Sequence, residues 1–254
     1  MLYITGDVHG EILQRLSWLK RVRLDRAEEN FLIVCGDFGL PWFAESRQLK
    51  KENRVLDMAQ ENLERYNTYL YFVDGNHENY DLLYGYPIAE DGTRPLRPRI
   101  RHLPRGTLIR IGGLDVFAFG GAKSTDRGEE CLGRGYWREE LPSDAEAACG
   151  LNALETAENV DVVISHAAPS GILDTMYVEP ERLADPAAKV LEEYRQLVER
   201  KFPHAFWFFG HYHRNVCFPP VKWLSNLTYY CLYENIVVPR QGESMTLEWG
   251  REKM

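Results

Sequence analysis

The chain has 254 residues, of which 44% are hydrophobic and 27% are charged, a composition typical of a globular protein rather than a disordered one. A net charge of -8 excludes a global positive field that would attract nucleic acid or an anionic membrane. No apolar stretch reaches the roughly 18 residues of a membrane span, and Met1 leads into an apolar strand pattern without a secretory signal. The five cysteines are odd in number and lack CxxC spacing, which favours reduced thiols. We therefore expect a cytoplasmic protein with no membrane partner.

Strand and helix patterns alternate along most of the chain. In chain order they predict a strand at 2–5, a helix at 11–22, a strand at 31–35, a helix at 45–66 and a strand at 69–73. Next come a hairpin around Gly112-Gly113, a helix at 143–157, a strand at 160–165, a helix at 185–202, a strand at 205–209 and several short strands between 216 and 238. This order predicts one α/β domain over residues 1–254 with two packed sheets and a flexible tail after about residue 239.

Polar turns that carry histidine or carboxylate follow five of the predicted strands. They are GDVHG at 6–10, GDFG at 36–39, GNHE at 75–78, SH at 165–166 and GHYH at 210–213. Ligands of open α/β sheets bind beyond the carboxyl ends of the strands, so these turns are expected to meet in one crevice. Imidazole with carboxylate and amide oxygens suits Mn, Fe, Zn or Ni better than Ca, and the set is too large for one ion and about right for two. His102 and His204 lack such a context and are predicted to be packing or surface histidines.

In this order, the five segments resemble the motifs of the calcineurin-like metallophosphoesterases. The resemblance implies a four-layer αββα sandwich of two packed mixed sheets, with two divalent metal ions at one end, Mn first and Fe, Zn or Ni as alternatives. By motif position, it implies one ion held by Asp7, His9, Asp37 and His213, and another held by Asp37, Asn76, His166 and His211. Asp37 would bridge the two ions, and His77 would be the proton donor.

The resemblance also implies a reaction, the hydrolysis of a phosphate ester by a metal-bridging hydroxide without a Ser or Cys nucleophile. The GDVHG and GNHE segments slightly favour a phosphomonoesterase. A phosphodiesterase that acts on nucleotides or nucleic acid is the alternative. A non-catalytic interaction module on the same fold is a remote one, because such a protein would be expected to lose ligands that are all present here.

Two segments depart from the Ser/Thr protein phosphatase branch of the family. Where that branch has GDxxDRG, this chain has Leu40 in place of the second Asp and lacks the Arg that follows, and Asp74 stands before GNHE where the branch has Arg. A protein phosphatase is therefore not expected. The carboxylate that orients His77 stays open among Glu78, Asp74 and Asp81.

Substrate-binding charge must then come from other segments. Besides Asn76, we expect Lys123, Arg127 and Arg134, in or after a turn-rich segment at 120–127, to contact the phosphate ester, with a solvated loop as the equal alternative. The basic run from Arg94 to Arg105 could contact a nucleic-acid backbone, although a solvated loop and strand edge is the favoured interpretation. The sequence predicts no particular oligomeric state.

Overall fold

The structure is a computed structural model that describes residues 1–20, 24–125, 128–176, 178, 184–220 and 225–238. Arg127 and the predicted tail after residue 239 lie outside the described residues. Within the described part of the chain, no helix is long and apolar enough to cross a bilayer.

The strands and helices follow the alternation that the sequence predicts. The strands are β1 (Leu2–Thr5), β2 (Asn30–Val34), β3 (Thr68–Phe72), β4 (Arg94–Arg97), β5 (Ile100–His102), β6 (Thr107–Ile111), β7 (Leu114–Phe119), β8 (Val162–Ser165), β9 (Phe206–Phe209), β10 (Val216–Phe218), β11 (Thr228–Cys231) and β12 (Ile236–Val237). The helices are α1 (Ile12–Leu16), α2 (Ser46–Arg65), α3 (Tyr80–Tyr84), α4 (Asp144–Thr156), α5 (Ser170–Met176) and α6 (Pro186–Lys201), with short 3-10 turns at Ser17–Lys20, Glu129–Cys131 and Arg138–Glu140.

Among the described residues, twelve strands form two six-stranded sheets of the same design. The order is β12-β1-β2-β3-β5-β4 in the first sheet and β10-β11-β9-β8-β7-β6 in the second. In each sheet four parallel strands lie in the centre and one antiparallel strand lies at each edge. Parallel strands need both faces covered, which explains why their sequences are continuous apolar runs.

Three layers of apolar side chains separate four layers of backbone. One apolar cluster joins α1 and α2 to the first sheet, with Leu56 and Leu70 among its members. A second lies between the sheets and includes Ile33 and Ile164, and a third joins α4 and α6 to the second sheet through residues such as Trp207. The order helix, sheet, sheet, helix confirms the predicted αββα sandwich.

The basic run from Arg94 to Arg105 differs from the favoured prediction of a solvated loop and strand edge. β4 is indeed an edge strand, but β5 lies between β4 and β3 in the sheet. The arginines face protein groups: Arg97 pairs with Asp57 at 2.7 Å, Arg99 lies over the Tyr69 ring, and Arg105 is buried. The interpretation as a solvated segment is wrong for β5, which is covered by a strand on each side, and for Arg105, whose buried side chain pairs with the buried Asp74 carboxylate.

Candidate metal centre

The turns after β1, β2, β3, β8 and β9 meet at one edge of the two sheets, as the strand-end argument predicts. Backbone N–H groups of one turn bind groups of another: His9 donates to the Asp37 carbonyl at 2.7 Å, and the His77 N–H donates to the Asp37 carboxylate at 2.7 Å. The His211 N–H donates to Asp7 at 3.0 Å across the two sheets. These bonds lock the turns together before any ligand is added.

Glycines make this close approach possible. A Cβ at Gly36 would overlap the imidazole of His166, and one at Gly75 would overlap the Asp37 carboxylate. A Cβ at Gly210 would overlap the Asp7 carboxylate. Each glycine comes directly before or near a residue of the cluster, so the absent side chain leaves room for a donor from another strand end.

One half of the cluster, which we call the outer half, consists of Asp7, His9 and His213. The Nε2 atom of His213 lies 3.2 Å from Asp7 Oδ2 and 3.0 Å from the Nε2 atom of His9. The hydrogen bond to Asp7 raises the pKa of His213. The ligand atoms of these three residues all lie within 4.8 Å of one another, and those of His9, Asp37 and His77 do so as well. In this second grouping, a ring nitrogen of His77 lies as close to His9 and Asp37 as a metal ligand would. The predicted role of His77 as a proton donor does not require so short a distance.

The other half, which we call the inner half, consists of His166, Asn76 and His211. The Nδ1 atom of His166 faces the carbonyl of Cys35 at 2.7 Å, so Nδ1 carries a proton and donates it. The Nε2 atom of His166 then lies 3.2 Å from Asn76 Oδ1 and 3.2 Å from Asp37 Oδ1, and the His211 ring packs 5.0 Å away. All three members are buried.

The donor set of the inner half fits a divalent transition metal. Burial alone would lower the pKa of His166, but the Asp37 carboxylate outweighs it and raises the pKa to about 10. Burial alone would raise the pKa of Asp37, and the His166 imidazole lowers it instead. A cation between these groups would meet an imidazole nitrogen, a carboxylate oxygen and an amide oxygen, which are the ligand types that Mn, Fe, Zn and Ni accept.

Asn76 is held by two residues that the sequence analysis did not select. Its Nδ2 atom donates to Ser124 Oγ at 3.4 Å, and Ser124 Oγ donates to the buried Glu140 carboxylate at 2.8 Å. The Ser124 N–H donates to the same carboxylate at 2.8 Å. With its amide nitrogen used in this way, Asn76 turns its oxygen toward His166. Ser124 lies in the turn-rich segment singled out for Lys123, whereas nothing near Glu140 in the sequence points to this role.

The three carboxylates that were left open for His77 have other partners. Glu78 accepts from the backbone N–H groups of Phe38 and Gly39 at 2.7 and 3.0 Å, and Asp81 accepts from the Trp137 indole at 2.9 Å. Burial and the Asp37 charge raise the pKa of Glu78 well above its usual value. Glu78 and Asp81 therefore stabilise the segments around the cluster through these hydrogen bonds.

Asp74, the third of these acids, is paired with a buried cation. Arg105 Nη2 lies 2.6 Å from its carboxylate, and His102 Nε2 lies 3.0 Å from it. Burial alone would raise the pKa of Asp74, but Arg105 lowers it. Of the two predictions for His102, packing and surface, packing is correct. His204 is half-exposed and lies 3.0 Å from the side-chain oxygen of Asn159.

Lys123 and Arg134, which were expected to contact the substrate, are not part of the cluster that the candidate metal ligands form. Lys123 is exposed, and its backbone N–H donates to Asp185 at 3.0 Å, next to Ser124 and the inner half. Arg134 is exposed in a loop where its N–H donates to the Cys131 carbonyl. Lys123 and Arg134 stay predictions as phosphate-binding residues.

Comparison with known proteins gives a family and a fold. A family model described as calcineurin-like phosphoesterase matches residues 2–215. The crystal structure of TT1561 of Thermus thermophilus is 14% identical, with a TM-score of 0.52 over 93% of this chain and 92% of that one. A second solved structure is 12% identical, with a TM-score of 0.55 over 98% of both chains. At these identities the two structures are evidence for the fold alone. None of the curated proteins matches the sequence.

Proposed function

The chain belongs to the calcineurin-like phosphoesterase family and is a metal-dependent hydrolase of phosphate esters, and from this premise we propose that it hydrolyses phosphomonoesters at a dinuclear metal centre. The observation that carries the proposal is the position of Asp37. Its Oδ2 atom lies 3.8 Å from Nε2 of His9, in the outer half, and its Oδ1 atom lies 3.2 Å from Nε2 of His166, in the inner half. One carboxylate oxygen thus faces each half, which is the arrangement that a bridging ligand needs.

We assign one ion to each half of the cluster. The proposed ligands are Asp7, His9, Asp37 and His213 for one ion and Asp37, Asn76, His166 and His211 for the other. Mn is the metal proposed first, and Fe, Zn and Ni suit the same donors. When bound, two such ions lower the pKa of a water between them and neutralise the phosphoryl oxygens.

The residues of the chain then have separate tasks in the reaction. Asp37 and Asp7 hold negative charge against the two cations, and Asn76 is proposed to contact both metal and phosphate. His77 gives a proton to the oxygen of the leaving alcohol, because an alkoxide is a poor leaving group near neutral pH. Its backbone is fixed by the hydrogen bond to Asp37, so the ring stays beside the cluster. Lys123 and Arg134 are proposed to attract the phosphate.

The inward-facing arginines support a monoester substrate over nucleic acid. The run from Arg94 to Arg105 was the feature that favoured a nucleic-acid contact, and its charge is matched by protein groups such as Asp57 and Asp74. A phosphodiesterase is the outcome to test against. Protein reloaded with Mn²⁺ should hydrolyse 4-nitrophenyl phosphate with a higher kcat/KM than bis(4-nitrophenyl) phosphate. A clear preference for the diester would replace the monoester proposal, and no turnover of either with two ions bound would favour the non-catalytic module.

The role of His77 needs its own experiment, because its ring lies near a ligand position. His77→Ala should keep the metal content of the wild type and slow the hydrolysis of alkyl phosphates more than that of 4-nitrophenyl phosphate, whose leaving group needs no proton. The measurements are metal content by elemental analysis and kcat for both substrates. Loss of one ion in the variant would show that His77 is a ligand, and equal slowing of both substrates would contradict proton donation.

A further inference from the structure

An aromatic wall, which we define as Trp42 and Trp137, lies beside the proposed proton donor. The Trp42 and His77 ring centroids are 6.4 Å apart, with the rings tilted by 33°. The edge of Trp137 packs against Trp42 at 5.4 Å and 84°. His77 also packs against His9 of the outer half at 4.9 Å, so the wall lies one ring beyond the metal ligands.

The wall is fixed in place by hydrogen bonds. The indole N–H of Trp137 donates to Asp81 at 2.9 Å, and Trp137 itself is buried. The Trp42 carbonyl accepts from the Asn79 side chain at 2.6 Å, and the Trp42 N–H donates to Glu52 at 3.0 Å. Trp42 is only partly buried, and Phe43, which follows it, is 44% exposed. These bonds fix the Trp42 backbone, and its partly exposed indole, packed against Trp137, is suited to binding a planar ligand group.

The aromatic wall lies next to the place where the leaving group of the substrate would bind. A group that protonates the leaving oxygen must lie within hydrogen-bond reach of that oxygen. Whatever is attached to the leaving oxygen therefore lies next to His77, where Trp42 also lies. The same segment lacks the Asp and Arg of the protein phosphatase motif and has apolar Leu40, Pro41 and Trp42 instead. The chain thus has an aromatic side chain directly after the two positions where the branch has charge.

We propose that Trp42 binds an aromatic ring in the leaving group of the substrate, so that the substrate class is phosphate esters of ring-bearing alcohols, with nucleosides and phenols as the two sources of the ring. The inference rests on the proposed function. In the reaction, water forms a bond to phosphorus and the bond from phosphorus to the ester oxygen breaks. His77 gives its proton to that oxygen and regains one from the water. The aromatic ring of the leaving group stays stacked on the Trp42 indole during these steps, and no further reactant is needed.

The test compares Trp42→Leu with wild type on paired substrates. Adenosine 5'-monophosphate and ribose 5-phosphate share a primary alcohol and differ by the base, and phenyl phosphate represents the phenols. Methyl diesters of all three are used if the protein prefers diesters. The ratio of wild-type to variant kcat/KM for one substrate cancels the intrinsic reactivity of its leaving group. We expect Trp42→Leu to lower kcat/KM by about tenfold to a hundredfold for ring-bearing substrates and by less than about twofold for ribose 5-phosphate.

The controls separate this inference from the proposed function and from a folding defect. Trp42→Phe keeps a smaller ring and should recover most of the loss, and Trp42→Met, which has no ring, replaces Trp42→Leu if the latter does not fold. Trp18→Leu makes the same change at a tryptophan that packs on Tyr3, and it should affect all substrates equally. If the wild type hydrolyses neither these esters nor 4-nitrophenyl phosphate, the proposed function is wrong, and if it hydrolyses ribose 5-phosphate but neither ring-bearing ester, the aromatic subsite is wrong. If it hydrolyses them and Trp42→Leu slows all equally, or Trp42→Phe rescues nothing, the aromatic subsite is wrong. Loss for adenosine 5'-monophosphate alone identifies nucleosides, and loss for phenyl phosphate alone identifies phenols.

Discussion

The two halves of the histidine cluster have similar ligands and different surroundings. In the outer half, the His213 and His9 side chains are 50% and 28% exposed. In the inner half, the His166 side chain is fully buried, its Nδ1 is held by the Cys35 carbonyl, and Asn76 is held by Ser124 and Glu140. Groups that orient ligands raise the affinity for a metal, and solvent access lets a metal exchange. We therefore expect the inner half to bind its ion more tightly and the outer half to exchange its ion faster.

Asp37→Asn should have the largest effect, because Asp37 faces both halves. We expect both ions to be lost and kcat to fall by more than about a hundredfold, which exceeds the usual effect of residues that only orient ligands. Elemental analysis gives the stoichiometry. Asp57→Asn, on the surface beside Arg97, is the matched control and should keep both ions. An unchanged stoichiometry in Asp37→Asn would refute the bridging role.

His213→Ala tests whether the two halves bind their ions independently. The variant should lose the ion of the outer half and keep the other, so that the stoichiometry falls from two to one and turnover falls sharply because one cation no longer neutralises the phosphoryl oxygens. A Mn²⁺ titration followed by calorimetry resolves the two binding steps. Loss of both ions together would mean that the halves do not bind independently.

Ser124→Ala acts on the inner half alone. Without the hydroxyl, the Asn76 amide loses the bond that turns its oxygen toward His166, and affinity for the tighter ion should fall by about 10- to 100-fold. Binding in the outer half should stay the same, as the same titration would show. Ser143→Ala is a control of equal size. It removes the N-terminal cap of α4, costs about 1 kcal/mol of stability and leaves both affinities unchanged.

The smallest expected effect is a dependence of the folding stability on pH. It comes from His102, which is not a member of either half of the cluster. Burial lowers the pKa of His102 below the usual 6.5, against the opposite influence of Asp74. The folded state therefore binds fewer protons than the unfolded state once the pH falls below 6.5. The stability from His102 is fully present above pH 6.5 and is lost as the pH falls toward the lowered pKa. Chelator-treated protein should lose less stability between pH 7 and 5 in His102→Gln than in wild type, as measured by urea unfolding. An identical loss in both would mean that the pKa of His102 is the same in the folded and the unfolded state, and a smaller loss in wild type would mean that it is raised in the fold.

The sequence was sufficient to predict which polar turns meet, and insufficient to predict the residues that hold their side chains in place. His9, His77 and His166 follow strand patterns, and parallel strands end at one edge, so their meeting could be predicted from the chain alone. Arg105 and His102 could not be assigned in this way, because their partner Asp74 lies on a different strand end. The strand β5 was missed because the arginines in and before it look solvated in sequence, whereas Asp57 accepts from Arg97, the Thr68 carbonyl from Arg99 and Asp91 from Arg101.

Local pattern by itself determined most of the strands and helices, the α/β class with two packed sheets and the polar turns at the strand ends, since each depends on residues close in sequence, and the resemblance of the five motifs implied the αββα sandwich. Only the tertiary structure decided which half of the cluster is buried, which oxygen of Asp37 faces which half, and that Ser124 orients Asn76. It also brought Trp42 beside His77. These are contacts between residues tens of positions apart, and they form because strand pairing and glycine turns bring distant segments within hydrogen-bond range.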